Sequence, residues 1–171
     1  MKRLDAWLTL NRMFWLFPVI FLIHDGEELL VMEQWLKEHQ SVGYGRIQQF
    51  LSTGFIENVS WTTSSFAIAM TMLFIIISLG SYLATRERRK LGLFVIMLTI
   101  AYLNVFTHTA QTILIGGYTP GVVTAWIVLL PYTLFVYWRL NAANLLTTRL
   151  TSTVSVIGLI VMIAAIIVRL V

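Results

Sequence analysis

The stretch from Arg12 to Trp35, RMFWLFPVIFLIHDGEELLVMEQW, decides how this chain folds. Its first half is apolar enough for hydrocarbon. His24-Asp25-Gly26-Glu27-Glu28 then interrupts a run that continues apolar through Leu29, Leu30 and Val31. Offsets of three and four residues put His24, Glu27 and Glu28 on one face of a helix. An ionisable side chain in hydrocarbon costs at least about 2.5 kcal/mol, so that face is expected to look into a helical bundle, and its residues are candidates for function. Counted from Arg12 at one membrane boundary, Glu27 lies about 22 Å along the helix, in the far half of a core about 30 Å thick.

The rest of the chain has the same character. Of 171 residues, 58% are hydrophobic and 12% charged, against about 25% charged in ordinary globular chains. Apolar runs long enough to cross a bilayer place helix 1 at Arg12 to Trp35, helix 2 at Val59 to Ala84, helix 3 at Leu91 to Ile115, helix 4 at Pro120 to Leu140 and helix 5 at Leu150 to Val171. The expected fold is all-α: a polytopic membrane protein of about five transmembrane helices forming one domain over the whole chain. Ile47, Phe50, Leu51 and Phe55 form one helical stripe, which predicts a short interfacial helix between helices 1 and 2 that could cover the site. A signal peptide over Met1 to Ile23 is disfavoured, because no small-residue cleavage site follows it.

There is no cysteine, so disulfide scaffolds, thiolate metal sites and cysteine nucleophiles are excluded. The net charge of +4 does not point to nucleic acid, since the basic residues sit at helix ends rather than on one soluble face. They report orientation instead. Nine of them (Lys2, Arg3, Arg12, Arg86, Arg88, Arg89, Lys90, Arg139 and Arg149) fall on one side, and three (Lys37, Arg46 and Arg169) on the other. That asymmetry predicts a cytoplasmic N-terminus and places the polar motif in the outer half of the membrane.

Helix 3 carries a second polar set, Asn104 and His108, with Gln111 one turn further along the same broad face. Measured from Leu91, Asn104 lies about 20 Å and His108 about 26 Å across the membrane, so helices 1 and 3, running in the same direction, bring both sets to one depth. A single site is the economical expectation. Glu57, before helix 2, enters at the same side and is more simply an exposed interfacial residue.

Ile23-His24-Asp25-Gly26-Glu27-Glu28, then Asn104-Val105-Phe106-Thr107-His108, then Tyr118-Thr119-Pro120-Gly121 and Pro131 together resemble the HXXEE-motif family of small bacterial membrane proteins. The resemblance covers most of the chain and implies a bacterial inner membrane. It implies site positions at His24, Glu27, Glu28, Asn104 and His108 and structural ones at Tyr118, Pro120 and Gly121, but no reaction.

Two imidazoles and two carboxylates can hold a divalent transition metal, zinc first, with His24, Glu27, Glu28 and His108 as the ligand pool. Such an ion activates water against an ester, amide or ether of a membrane lipid, with Glu27 or Glu28 as general base and Asn104 orienting ligand, water or substrate. A metal-free acid/base enzyme would use the same residues. Three other readings remain open. One is a proton-coupled transporter or transporter subunit relaying protons through the cluster; few helices and no visible repeat weigh against it. A bis-histidine haem site would leave the glutamates unexplained. A polar network pinning helix 1 to helix 3 is the blandest.

Other features have plainer readings. Gly116 to Gly121 predicts a tight turn between helices 3 and 4. Pro131 is expected to kink helix 4. Trp35, Trp61, Tyr82, Tyr118 and Trp138 sit near helix ends and read as interfacial anchors. His39 reads as a solvated loop residue. Asp25 lies about 100° around the helix from His24, facing another neighbour unless the helix opens there. Helix 5, almost wholly aliphatic beyond Ser155, is expected to face lipid or a second copy of the chain.

Overall fold

The computed structural model describes residues 9–39 and 63–146, with Ser152, Val156 and Ile160 as further helical positions. Within them lie four long helices: α1 Leu10–His39, α2 Thr63–Arg86, α3 Leu91–Ile115 and α4 Val122–Ala142. The segment 40–62, with the expected interfacial helix and Glu57, lies outside the described residues, as does most of the expected fifth helix. Three helices, α2, α3 and α4, are long and apolar enough to cross a membrane. Helix α1, with 30 residues, is long enough as well, at about 45 Å. The chain is thus an all-helical, multi-pass membrane protein.

Helix α1 packs along α2 and α4, α2 packs along α3, and α3 along α4. Helices α1 and α3 therefore stand diagonally across a four-membered ring, and their side chains meet in its centre. Phe14 and Phe17 of α1 contact Phe94 of α3 with ring centroids 4.7 and 5.5 Å apart, both edge-on. These rings, with Met13, Leu98, Val136 and Leu140, form a fully buried apolar layer. Tyr132 enters it from α4, stacks on Phe17 and donates its hydroxyl to the Met13 carbonyl at 3.0 Å, so no polar atom of that ring is left dry. On α2, Gly80, Ser81 and Ala84 share a face of small residues; Ser81 and Ala84 are buried, and Gly80 meets α3. A Cβ on Gly80 would lie 3.4 Å from the Phe94 backbone, so the helices approach closely there.

Several helix ends differ from expectation by two to four residues, α1 most of all. Helix α1 runs past Trp35 to His39, because the i, i+4 pairs Glu33–Lys37 and Gln34–Glu38 carry the helix through its polar end. His39 is thus the last helical residue, not part of a loop. Helix α1 is also continuous through Asp25 and Gly26, and Asp25 is buried rather than turned to lipid.

The α3–α4 turn closes one end of the bundle. Gly116 caps α3 in the left-handed region at φ +77° and donates to the Thr112 carbonyl at 2.9 Å. Thr119 is buried and meets the Thr112 hydroxyl at 2.7 Å, and Trp35 of α1 donates its indole N–H to the Tyr118 carbonyl at 2.8 Å. Trp35 is therefore a strut between α1 and the turn.

Candidate metal centre

Below that turn, α1 and α3 direct their polar side chains at each other. His24 is 2% and His108 5% exposed, and the Glu28 side chain 12%. The two imidazoles stand edge to face with centroids 5.1 Å apart. Glu28 Oε1 lies 2.9 Å from His108 Nε2 and 3.8 Å from His24 Nε2, and all three atoms fall within 4.8 Å of one another. Asn104 Nδ2 sits beside them, 3.1 Å from His24 Nε2 and 3.0 Å from His108 Nε2. Its carbonyl oxygen accepts from the Thr107 hydroxyl at 2.8 Å, which turns the amide NH₂ towards the imidazoles. The two sequence-distant sets do form one site.

Helix α4 completes it with residues that spacing on helices 1 and 3 did not reveal. Gly121 begins α4 at φ +84°, and a Cβ there would lie 2.5 Å from Glu28 Oε1 and 2.8 Å from His108 Cε1. Glycine is thus required twice, by the left-handed backbone and by the missing volume. Thr124 is the hub. Its hydroxyl lies 3.0 Å from His24 Nδ1 and donates to Glu27 Oε2 at 2.6 Å, while its backbone N–H donates to the same oxygen at 2.9 Å. The Tyr118 hydroxyl donates to Glu27 Oε1 at 2.7 Å. Partial desolvation, then the hydrogen bond to Glu27, push the Tyr118 hydroxyl up to about 12, so it remains a donor throughout the physiological range.

The adjacent glutamates of the motif therefore have different surroundings. Glu28 joins the two histidines. Glu27, placed by sequence in the same ligand pool, accepts from three donors of the α4 entrance and caps that helix, whose first N–H groups have no partner of their own. Gln111 makes no hydrogen bond to the cluster among the described residues. Tyr118, expected as an interfacial anchor, and the turn it belongs to roof the site. The His108 Nδ1 atom is buried without a partner among the described residues.

Proton counting defines what the cluster can bind. The Asn104 amide has two N–H donors, one for each imidazole Nε2 lone pair. His108 Nε2 and Glu28 Oε1 then face each other at 2.9 Å as two acceptors, an arrangement that requires a proton or a cation between them. A tetrahedral ion with ligand bonds of about 2.0–2.1 Å sets its ligand atoms roughly 3.4 Å apart, and the separations of 2.9 and 3.8 Å from Glu28 bracket that value. The triad His24, Glu28 and His108 could hold a metal ion.

A family model described as a protein of unknown function with HXXEE motif matches residues 15–136, and the chain belongs to that family. No curated protein and no solved structure gives a significant match.

Proposed function

We propose that this member of the HXXEE family is a metal-dependent membrane enzyme, a hydrolase whose divalent ion, zinc in the first instance, is held by His24, His108 and Glu28 and whose substrate is a lipid or lipid-like amphiphile. The observation that carries the reading is the convergence of three acceptor atoms within 4.8 Å. A single bridging proton would satisfy only the 2.9 Å contact between Glu28 and His108, with His24 Nε2 left to the Asn104 amide. One ion satisfies all three. Two histidines and one carboxylate leave a coordination position for water, and a bound ion there supplies Lewis acidity and water made acidic enough to ionise near neutrality.

The chain's own residues do the rest. Hydrolysis of an ester adds water across the acyl bond: the water oxygen bonds the carbonyl carbon, the bond to the leaving oxygen breaks, and the water proton passes through a carboxylate of the cluster to that oxygen. Glu28 is the carboxylate in place for this transfer, through Oε2 while Oε1 faces the histidines, since both oxygens of Glu27 are engaged by Tyr118 and Thr124. Asn104, free to turn its amide from the imidazoles once their lone pairs are taken, supplies N–H donors to substrate or water. Lipid is the natural substrate class because the site lies between membrane helices and is reached most directly from the bilayer.

The test is turnover of defined ester- and amide-linked lipids by the purified protein in zinc-supplemented vesicles. The expected result is release of a cleavage product that a chelator abolishes, that zinc restores, and that Glu28→Gln lowers by about a hundredfold or more. Metal-independent proton flux through the same vesicles, with no lipid cleaved, would favour the proton-relay reading, for which the 2.9 Å contact is a ready-made proton site.

A further inference from the structure

The Thr124 hydroxyl has one proton and three neighbours able to take it, Glu27, His24 and, at 3.4 Å, the Gly121 carbonyl, and whether His24 receives it fixes the chemistry of that imidazole. Glu27 Oε2 is nearer, at 2.6 Å against 3.0 Å for His24 Nδ1. The backbone N–H of Thr124 and the hydroxyl of Tyr118 donate to the same carboxylate at 2.9 and 2.7 Å. Three converging donors are the surroundings of an ionised carboxylate, which can only accept. The threonine proton therefore lies towards Glu27, and the threonine oxygen can only accept from His24. That requires the hydrogen of His24 to be on Nδ1 and leaves a lone pair on Nε2, the atom facing Glu28 and His108.

We infer that Glu27 and Thr124 are positioning residues: a carboxylate–hydroxyl–imidazole chain that locks His24 in the Nδ1–H tautomer with its Nε2 lone pair aimed into the cluster. The chain explains why the motif needs two adjacent glutamates. Glu28 meets the ligand site directly, and Glu27 acts on it through α4. Metal-bound histidines are commonly oriented by a carboxylate or carbonyl on their other ring nitrogen; here a threonine of α4 is interposed, so the charge of Glu27 on α1 reaches His24 through the α4 entrance. Reach through the bundle follows from this, because any shift of α4 relative to α1 moves the acceptor of His24 Nδ1–H.

The tautomer part of the inference stands without a metal, whereas its effect on affinity rests on the metal reading above, and the experiment keeps the two apart. Ring-¹⁵N-histidine protein, stripped with chelator, is examined by NMR in detergent micelles, with the His24 signals identified by their loss in His24→Gln. The expected spectrum of the wild-type protein has a protonated Nδ1 and an unprotonated Nε2 on His24. Thr124→Val converts it to a mixture of tautomers, while Thr124→Ser, which keeps the hydroxyl, retains the wild-type pattern. In zinc competition against a chromophoric chelator, Thr124→Val weakens affinity by about 10- to 100-fold and Thr124→Ser by less. A wild-type His24 protonated on Nε2, or a folded Thr124→Val with an unchanged tautomer, overturns the inference. The wild-type spectrum alone can do so if the valine variant does not fold. If the wild-type protein binds no zinc yet shows the Nδ1–H tautomer and its loss in Thr124→Val, the positioning chain stands and only the metal reading falls.

Discussion

At the residue scale, the site depends most sharply on an atom that is missing. The hydrogen of Gly121 points at Glu28 and His108, and a methyl group there would sit 2.5 Å from a carboxylate oxygen on a backbone at φ +84°. Left-handed backbone costs a non-glycine residue roughly 1–2 kcal/mol, and the overlap forces either Glu28 or the helix start to move. Gly121→Ala is therefore expected to lower the melting temperature and to reduce metal affinity at least about tenfold, read by thermal unfolding with and without zinc. Equal affinity in the folded variant would show that Gly121 is not the wall of the site. The family resemblance marked Gly121 as a structural turn position, but its contact with Glu28 and His108 was not legible in the sequence, and Thr124 looks like part of an ordinary helix start. His24, Glu28, Asn104 and His108 were legible, because ionisable groups stand out in apolar helices and helical rise sets their depth. Glu27 and Glu28 were not separable, since offsets of three and four residues from His24 both fall on its face.

At the element scale, α4 is bent to its task by a local change of winding. Pro131 cannot donate to the Ile127 carbonyl, and its ring crowds the preceding turn. The helix responds with a π turn over Ala125–Leu129, closed by the Leu130 N–H on the Ala125 carbonyl. Such a turn takes one residue more than an α turn, so the helix before it is rotated by about 100° relative to a regular continuation. The kink expected at Pro131 thus takes the form of this wider turn, and it aims Thr124 at α1 while Val136 and Leu140 remain in the apolar layer. Trp126, inside the turn, donates to Thr109 of α3 at 3.0 Å and ties the widened segment down. It follows that deleting Ile127, an exposed residue within the turn, together with Pro131→Ala leaves a regular α-helix with both ends in phase and keeps metal binding. Deleting Leu134, also exposed but outside the turn, rotates the remainder by about 100° and is expected to destabilise the fold. Comparing the melting temperature and zinc affinity of the two variants checks this, and an equal loss in both would exclude the π turn as the aiming device. Helix α1 in turn caps its neighbours: Glu27 meets the first turn of α4, and Glu33 receives the N–H and hydroxyl of Thr63 at the start of α2. Helix α3 was read to the residue because Lys90 and Gly116 bracket a predominantly apolar run of 25 residues. Helix α1 was read short because its polar end looks like a loop until its i, i+4 pairs are counted.

At the scale of the whole molecule, the ring of helices puts an apolar layer at one end and a polar cluster at the other, and the turn over Tyr118 closes the polar end. The apolar layer is anchored by Arg88, which lies over the Phe14 ring at 4.9 Å and donates to Asn11 at 2.6 Å. The nine-to-three distribution of Lys and Arg predicts that this end faces the cytoplasm and the cluster lies in the outer half of the bilayer. Because the chain has no cysteine, single-cysteine labelling tests this directly: with an impermeant maleimide on intact cells, Gly43→Cys is expected to react and Glu87→Cys to be protected, and the opposite pattern would invert the protein. The central claim is that His24, Glu28 and His108 share one ion, and the most direct test is metal quantification. Protein purified without chelator or metal-affinity resin is analysed by plasma mass spectrometry beside folded His24→Ala, Glu28→Gln and His108→Ala. The expected result is about one divalent transition metal per chain in the wild-type protein, with a large loss in each variant. A trace of metal that is the same in all four proteins would contradict the claim.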